Sequence, residues 1–234
     1  MLFAFCSKLL SRSELRVEPS QRYRTTPHNV ASHSIPSSPS LRGSAMATLR
    51  ETTWPAHQRL ERRLDVKARF SDICAYRNHL EAMWGFCAAL EQRLGPEQFG
   101  AALSDCASRR KLPLLTRDLV ALGAAPDAVE RLAQCAGLPD CTDTSAAFGS
   151  AYVLEGATLG GRTLLPLVHA RLGLSAAHGA SFLASYGELT AARWRSFGAA
   201  LDAWCSTATR SALAAAAALA TFESLERWLC GGPG

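Results

Sequence analysis

From Thr48 onward, apolar residues recur three and four positions apart, and almost no run alternates apolar with polar as a half-buried strand would. This spacing predicts an all-α chain. The first helix is expected to open at Thr48, which forms a capping-box pattern with Glu51, and to run to about Asp65, with Pro55 removing one backbone donor and bending it. A second is expected from about Ser71 to Leu94, ahead of Gly95 and Pro96. Shorter helices follow near Glu97 to Ser108, Leu115 to Leu122 and Asp127 to Cys135, cut by Pro113, Gly123, Pro126 and the turn-rich stretch Gly137 to Asp140. A long helix is predicted from Thr142 or Asp143 to about Arg171, then one from Glu188 to Trp204 and one from Thr207 to Leu229, before Gly231. No internal repeat and no sustained heptad appears. The longest apolar run, Ala212 to Phe222, falls short of the roughly 18 residues that would span a bilayer.

Residues 1–45 break the pattern. They are rich in Ser, Arg and Pro, show no apolar period, and are expected to be a disordered extension, with the helical domain occupying 46–234. Met46 stands at the break, so the simplest reading is an upstream extension of a chain that functionally begins there. The alternative is an organelle transit peptide, which the Arg- and Ser-rich, acid-poor composition resembles. The formal charge of +5 is concentrated in this segment, where six basic residues face two acidic ones, which leaves about +1 for the rest. The body therefore has no basic stripe of the kind that binds nucleic acid. With 48% hydrophobic residues in 234, it can bury one sizeable core. The eight cysteines never form a C-x-x-C pair and lie mostly among Ala and Leu, which reads as small buried hydrophobes in a reducing, cytoplasmic setting.

Two features could carry chemistry. In the long helix, Gly149, Gly156, Gly160 and Gly161 each cost about 1 kcal/mol relative to Ala. At about 100° per residue, Gly149, Tyr152, Val153, Gly156 and Gly160 share a face that is nearly bare of side chains. Such a face admits either a closely packed neighbouring helix or a planar ligand. The second feature is His57, on one face of the first helix with Arg50, Thr53, Leu60 and Leu64. A lone histidine on a helix is either a packing residue or a metal ligand. Glu61 one turn on could fix its tautomer, and Arg50 could neutralise a carboxylate. One axial nitrogen, one bare helix and one cation are parts of a heme site. His28, His33, His79, His169 and His178 have no glycine-lined partner and read as surface or packing residues. There is no Walker loop, no strand-linked G-x-G-x-x-G and no G-x-S-x-G elbow.

The stretch L-R-E-T-T-W-P-A-H-Q-R-L-E at 49–61 and the stretch G-S-A-Y-V-L-E-G-A-T-L-G-G at 149–161 resemble the proximal and distal helices of the heme oxygenase family, bacterial biliverdin-producing type. Weaker similarity extends to Trp194 through Phe197, Leu201, and Phe222 through Trp228. The resemblance implies a compact multi-helix fold that holds heme between these two helices. It implies that His57 ligates the iron, that Gly156 and Gly160 let the distal backbone approach the ring and direct O₂, that Tyr152 meets the ring face, and that Arg50 and Arg195 meet the propionates. Heme would be both cofactor and substrate, with O₂ and electrons from an external reductase or ferredoxin giving biliverdin, carbon monoxide and ferrous iron. A phytochrome could receive the biliverdin. Ala157 departs from the acidic residue of animal members, and a heme carrier or sensor on the same fold is the alternative.

Overall fold

The computed structural model describes residues 43–231, so the expectation of disorder falls almost wholly outside the described residues. Helix α1 spans Ala45–Arg63, α2 is the single turn Val66–Arg69, and α3 is Ile73–Glu91. The short α4 (Pro96–Phe99) leads into 3₁₀ turns at Gly100–Leu103 and Cys106–Arg109. Then come α5 (Leu112–Ala121), α6 (Pro126–Glu130), α7 (Thr144–Leu172), α8 (Ser181–Ala184), α9 (Thr190–Trp204) and α10 (Ala208–Cys230). Among the described residues there is no strand, only isolated bridges at Ser175.

The long elements stand where the hydrophobic period put them, and their caps explain the ends. The Asp143 carboxylate accepts from the Ser145 and Ala146 amides to open α7, and Gly173, at φ 69°, closes it in the left-handed conformation that glycine tolerates. Thr207 opens α10 in the same way through the Arg210 amide.

Three differences from the sequence expectation have physical causes. Helix α1 starts at Ala45, because Ser44 rather than Thr48 caps it: the Ser44 hydroxyl accepts from the Ala47 amide at 3.2 Å, and the Thr48 hydroxyl donates back to the Ser44 carbonyl at 3.4 Å. The helix expected over 97–108 is broken at Gly100, where φ is 51°, and continues only as 3₁₀ turns. The helix expected to reach Cys135 stops at Glu130; beyond it the Cys135 amide donates to the Gly85 carbonyl of α3 at 3.2 Å, so tertiary pairing replaces helical pairing.

Helix α10 is the hub, packing along both α1 and α7, while α9 packs on α7. Leu49 and Ala56 of α1, Phe148 and Val153 of α7, Phe197 and Leu201 of α9, and Ala214, Ala218 and Leu225 of α10 are buried in one apolar core. Burial of this kind, rather than intrinsic propensity, supplies most helix stability. No helix of the described residues is long and apolar enough to cross a membrane.

Candidate functional site

Helices α1 and α7 both lean on α10, and between their facing sides lies a cavity of about 440 Å³, within the usual range for small-molecule sites. One wall is α1 and the turn after it, where Arg50, Thr53, Trp54, His57, Leu60 and Glu61 line the space. The other is α7, through Tyr152, Val153, Gly156, Ala157 and Leu159. Trp194 of α9 and Phe222 and Leu225 of α10 close the interior.

His57 is half-buried, and aromatic rings fix its plane. Trp54 stacks against it at 5.8 Å between centroids and 16° between planes, and Phe222 meets it edge-on at 5.6 Å. Burial lowers its pKa below the ordinary 6.5, so at neutral pH the imidazole is uncharged and its lone pair can serve a metal. On the opposite wall, a Cβ built on Gly156 would have, among the described residues, only the tip of the Trp194 ring near it, at 4.0 Å. Tyr152 and Trp194 pack together at 5.5 Å, so this wall is aromatic around a bare backbone.

Cations edge the cavity. Arg50, Arg62 and Lys67 are exposed lining residues, and among the described residues none of them has an ion-pair partner, whereas the neighbouring Arg59 and Arg63 are held by Glu226 of α10. A largely apolar slot with a neutral imidazole on one wall, bare helix on the other and spare cations at the rim suits a flat, apolar, metal-bearing molecule with acidic substituents.

The heme oxygenase family model matches residues 44–230, which include both walls of the cavity. The chain belongs to the heme oxygenase family. A solved structure of heme oxygenase from Neisseria meningitidis, described in NO- and CO-bound forms, matches with a TM-score of 0.65 at 20% sequence identity, covering 80% of this chain and 92% of that one. At that identity the likeness speaks for the fold, which is the all-α heme oxygenase fold. No curated protein matches the chain as a relative.

Of the six residues expected at the site of this heme oxygenase family member, the structure brings four together: His57, Arg50, Tyr152 and Gly156 all line the cavity. Gly160 and Arg195 do not. Gly160 is buried one turn farther along α7, where Leu159 forms the lining. Arg195 follows Trp194 by about 100° of helix rotation and is exposed away from the cavity. The face of small residues also divides by function. A Cβ on Gly149 would lie 2.0 Å from the Ala214 carbonyl oxygen of α10, so that glycine serves close helix packing rather than the cavity.

Sequence reasoning missed Arg62 and Lys67. They belong to the end of α1 and to α2, and a one-turn helix whose start is fixed by the Asp65 side chain leaves no periodic signal. Trp194 and Phe222 lie within the weaker stretches of the resemblance, but nothing in their spacing marked them as lining residues.

Proposed function

We propose that this protein binds heme in the cavity between α1 and α7 and cleaves it, with O₂ and electrons from an external reductase or ferredoxin, to biliverdin, carbon monoxide and ferrous iron. The observation that carries the reading is the opposition of His57 and Gly156 across one apolar cavity whose rim carries cations with no ion-pair partner among the described residues.

The residues fit the molecule. When bound, heme supplies the iron that takes up O₂ and the ring that is oxidised. His57, whose uncharged form burial favours and which lies between Trp54 and Phe222, would hold the iron. Gly156 presents backbone where any side chain would stand in the cavity, and Trp194 bounds that opening. Arg50 at one end of the rim, or Arg62 and Lys67 at the other, would meet the carboxylates of the ring. The α7 wall is poor in side-chain donors: of its lining residues only Tyr152 carries one, and Ala157 offers none. Any water held over Gly156 would find its α7 partners in the backbone or Tyr152.

The bare Ala157 is also the observation that favours a second reading, a heme carrier or sensor. The seven cysteines of the described residues are free thiols, which supports a reducing, cytoplasmic compartment.

The deciding experiment is an absorption spectrum of the full chain with one equivalent of hemin, followed by ascorbate in air. A Soret band of histidine ligation that decays into the broad red absorption of biliverdin is expected. A stable band selects the carrier, and an absent band overturns both readings. The His57→Ala variant should lose the histidine-ligation signature while keeping its helical circular dichroism. Because burial lowers the His57 pKa, the loss of hemin affinity on acidification should set in at a lower pH than the ordinary imidazole pKa would give, which a titration from about pH 8 to 5 checks.

A further inference from the structure

The chain holds a buried ion cluster that the cavity does not use. The Glu155 carboxylate accepts from Arg109 Nη1, Lys111 Nζ and the Tyr186 hydroxyl, each at 2.7 Å, and the side chains of Glu155, Arg109 and Lys111 are no more than 5% exposed. Lys111 also donates to the Arg109 carbonyl and to the Tyr186 hydroxyl. Arg109 is gripped by Asp105 through two bonds of 2.8 Å, and it reaches α9 at the Ser196 hydroxyl and the Arg193 carbonyl.

The cluster's neighbours give it meaning. Glu155 immediately precedes Gly156, and Arg193 immediately precedes Trp194, so the cluster ties together the two chain segments that meet at the cavity. Gly156 has little packing of its own to hold it, because among the described residues only the tip of Trp194, at 4.0 Å, lies near a Cβ built there, and the close backbone contacts of the helix are a turn or more away at Gly149 and Gly161. Charges so deeply buried are a poor source of stability, since well-packed apolar residues often serve as well or better, while removing one partner strands the others. A hydrogen-bonded cluster of fixed geometry does, however, specify one arrangement of the elements it joins.

We propose that Glu155, held by Arg109, Lys111 and Tyr186, is a positioning residue that fixes the Gly156 backbone against Trp194 and so sets the distal wall of the heme cavity. This rests on the heme reading above, and it predicts that binding and turnover separate. In Glu155→Gln the shape is kept and the charge is lost. Hemin affinity and the Soret position are expected to stay within about threefold and unshifted, because His57 and the rim cations are untouched. Turnover should fall about 10- to 100-fold, the effect of a misplacement of order 1 Å at a reacting centre.

Hydrogen–deuterium exchange gives a readout that needs no heme: amides of residues 152–160 should exchange faster in Glu155→Gln than in the wild type. The double variant Glu155→Leu with Lys111→Met removes the stranded charge; it should melt at least as high as Glu155→Gln without recovering slow exchange or turnover. Unchanged exchange across 152–160 in a folded Glu155→Gln overturns the proposal, whether or not the wild type binds hemin. Full turnover with normal exchange in the double variant overturns it as well. A wild type that binds no hemin overturns the heme reading alone and leaves the exchange result to decide the positioning role.

Discussion

Two stretches of α7 use glycine in opposite ways. At Gly149 a Cβ would sit 2.0 Å from the Ala214 carbonyl oxygen, and at Gly161 it would sit 2.8 Å from that of Leu183, so these positions let backbone press on backbone. At Gly156, between them, a Cβ would meet, among the described residues, only the edge of an indole at 4.0 Å, and the missing side chain leaves space in a cavity. The same residue on the same helix lets backbones close together at either side and leaves a cavity wall bare in the middle, and only the neighbours across the gap tell them apart.

The largest effect should come from Gly149→Ala. The obstruction is backbone, which cannot swing aside, so α7 and α10 must separate along their contact. A loss of about 3 kcal/mol is expected, at the upper end for overpacked cores. For a chain of this size that lowers the melting temperature by about 6–12 °C, measurable by circular dichroism. A melting temperature within a degree of the wild type would break the comparison.

Gly161→Ala should cost less, about 1–2 kcal/mol, because its obstruction is the one-turn helix Ser181–Ala184, which can shift more readily than a full-length helix. The shift is resisted, since the Asp118 carboxylate of α5 accepts from the Ser181 and Phe182 amides at 2.8 and 2.7 Å. Adding Asp118→Asn to Gly161→Ala should therefore give a smaller further loss of stability than Asp118→Asn gives alone, which a double-mutant cycle reads.

At Gly156 the sign reverses. Ala fits the space and is the better helix former, so Gly156→Ala should stabilise the protein by about 0.5–1 kcal/mol while weakening hemin turnover. A melting curve and the biliverdin assay on one preparation test both halves. A destabilised variant with normal turnover would erase the distinction between the middle of the helix and its sides.

How much of this was legible in the sequence follows from where the information lies. Local signals found α7 and α10 nearly residue for residue, because Asp143 and Thr207 cap them within their own first turns. The period that marked α1 also placed Arg50 and His57 on the face that lines the cavity. Long-range contacts were invisible. The segment after Glu130 leaves the helix to pair with Gly85, and the three donors to Glu155 stand 46, 44 and 31 residues away, so no local pattern joins them to it. The glycine face pointed to two alternatives, packing or a ligand, and the structure assigns Gly149 to the first and Gly156 to the cavity. No periodicity argument makes that division, because it depends on what lies opposite.

The smallest effect, and the one that sharpens the contrast between the two walls, concerns the rim. Arg50 lies near the start of α1 and Lys67 beyond its end, and 12 residues of helix separate Arg50 from Arg62, about 18 Å at 1.5 Å per residue. A single rigid ring carries its carboxylates on one edge, so it can use the Arg50 end or the Arg62 and Lys67 end, but not both fully. Arg50→Ala and Lys67→Ala should consequently differ: one weakens hemin binding about two- to fivefold, the range of an exposed ion pair, and the other leaves it unchanged. Added salt should shrink the difference, because charges this exposed are screened within about 10 Å at 0.1 M. Hemin titrations of the two variants at low and high ionic strength read it directly. Equal losses at both positions would mean that the rim acts as a diffuse positive field rather than as an anchor, and the orientation of the ring would then be set by the walls, by Gly156 and Trp194 on one side and Trp54 and Phe222 on the other.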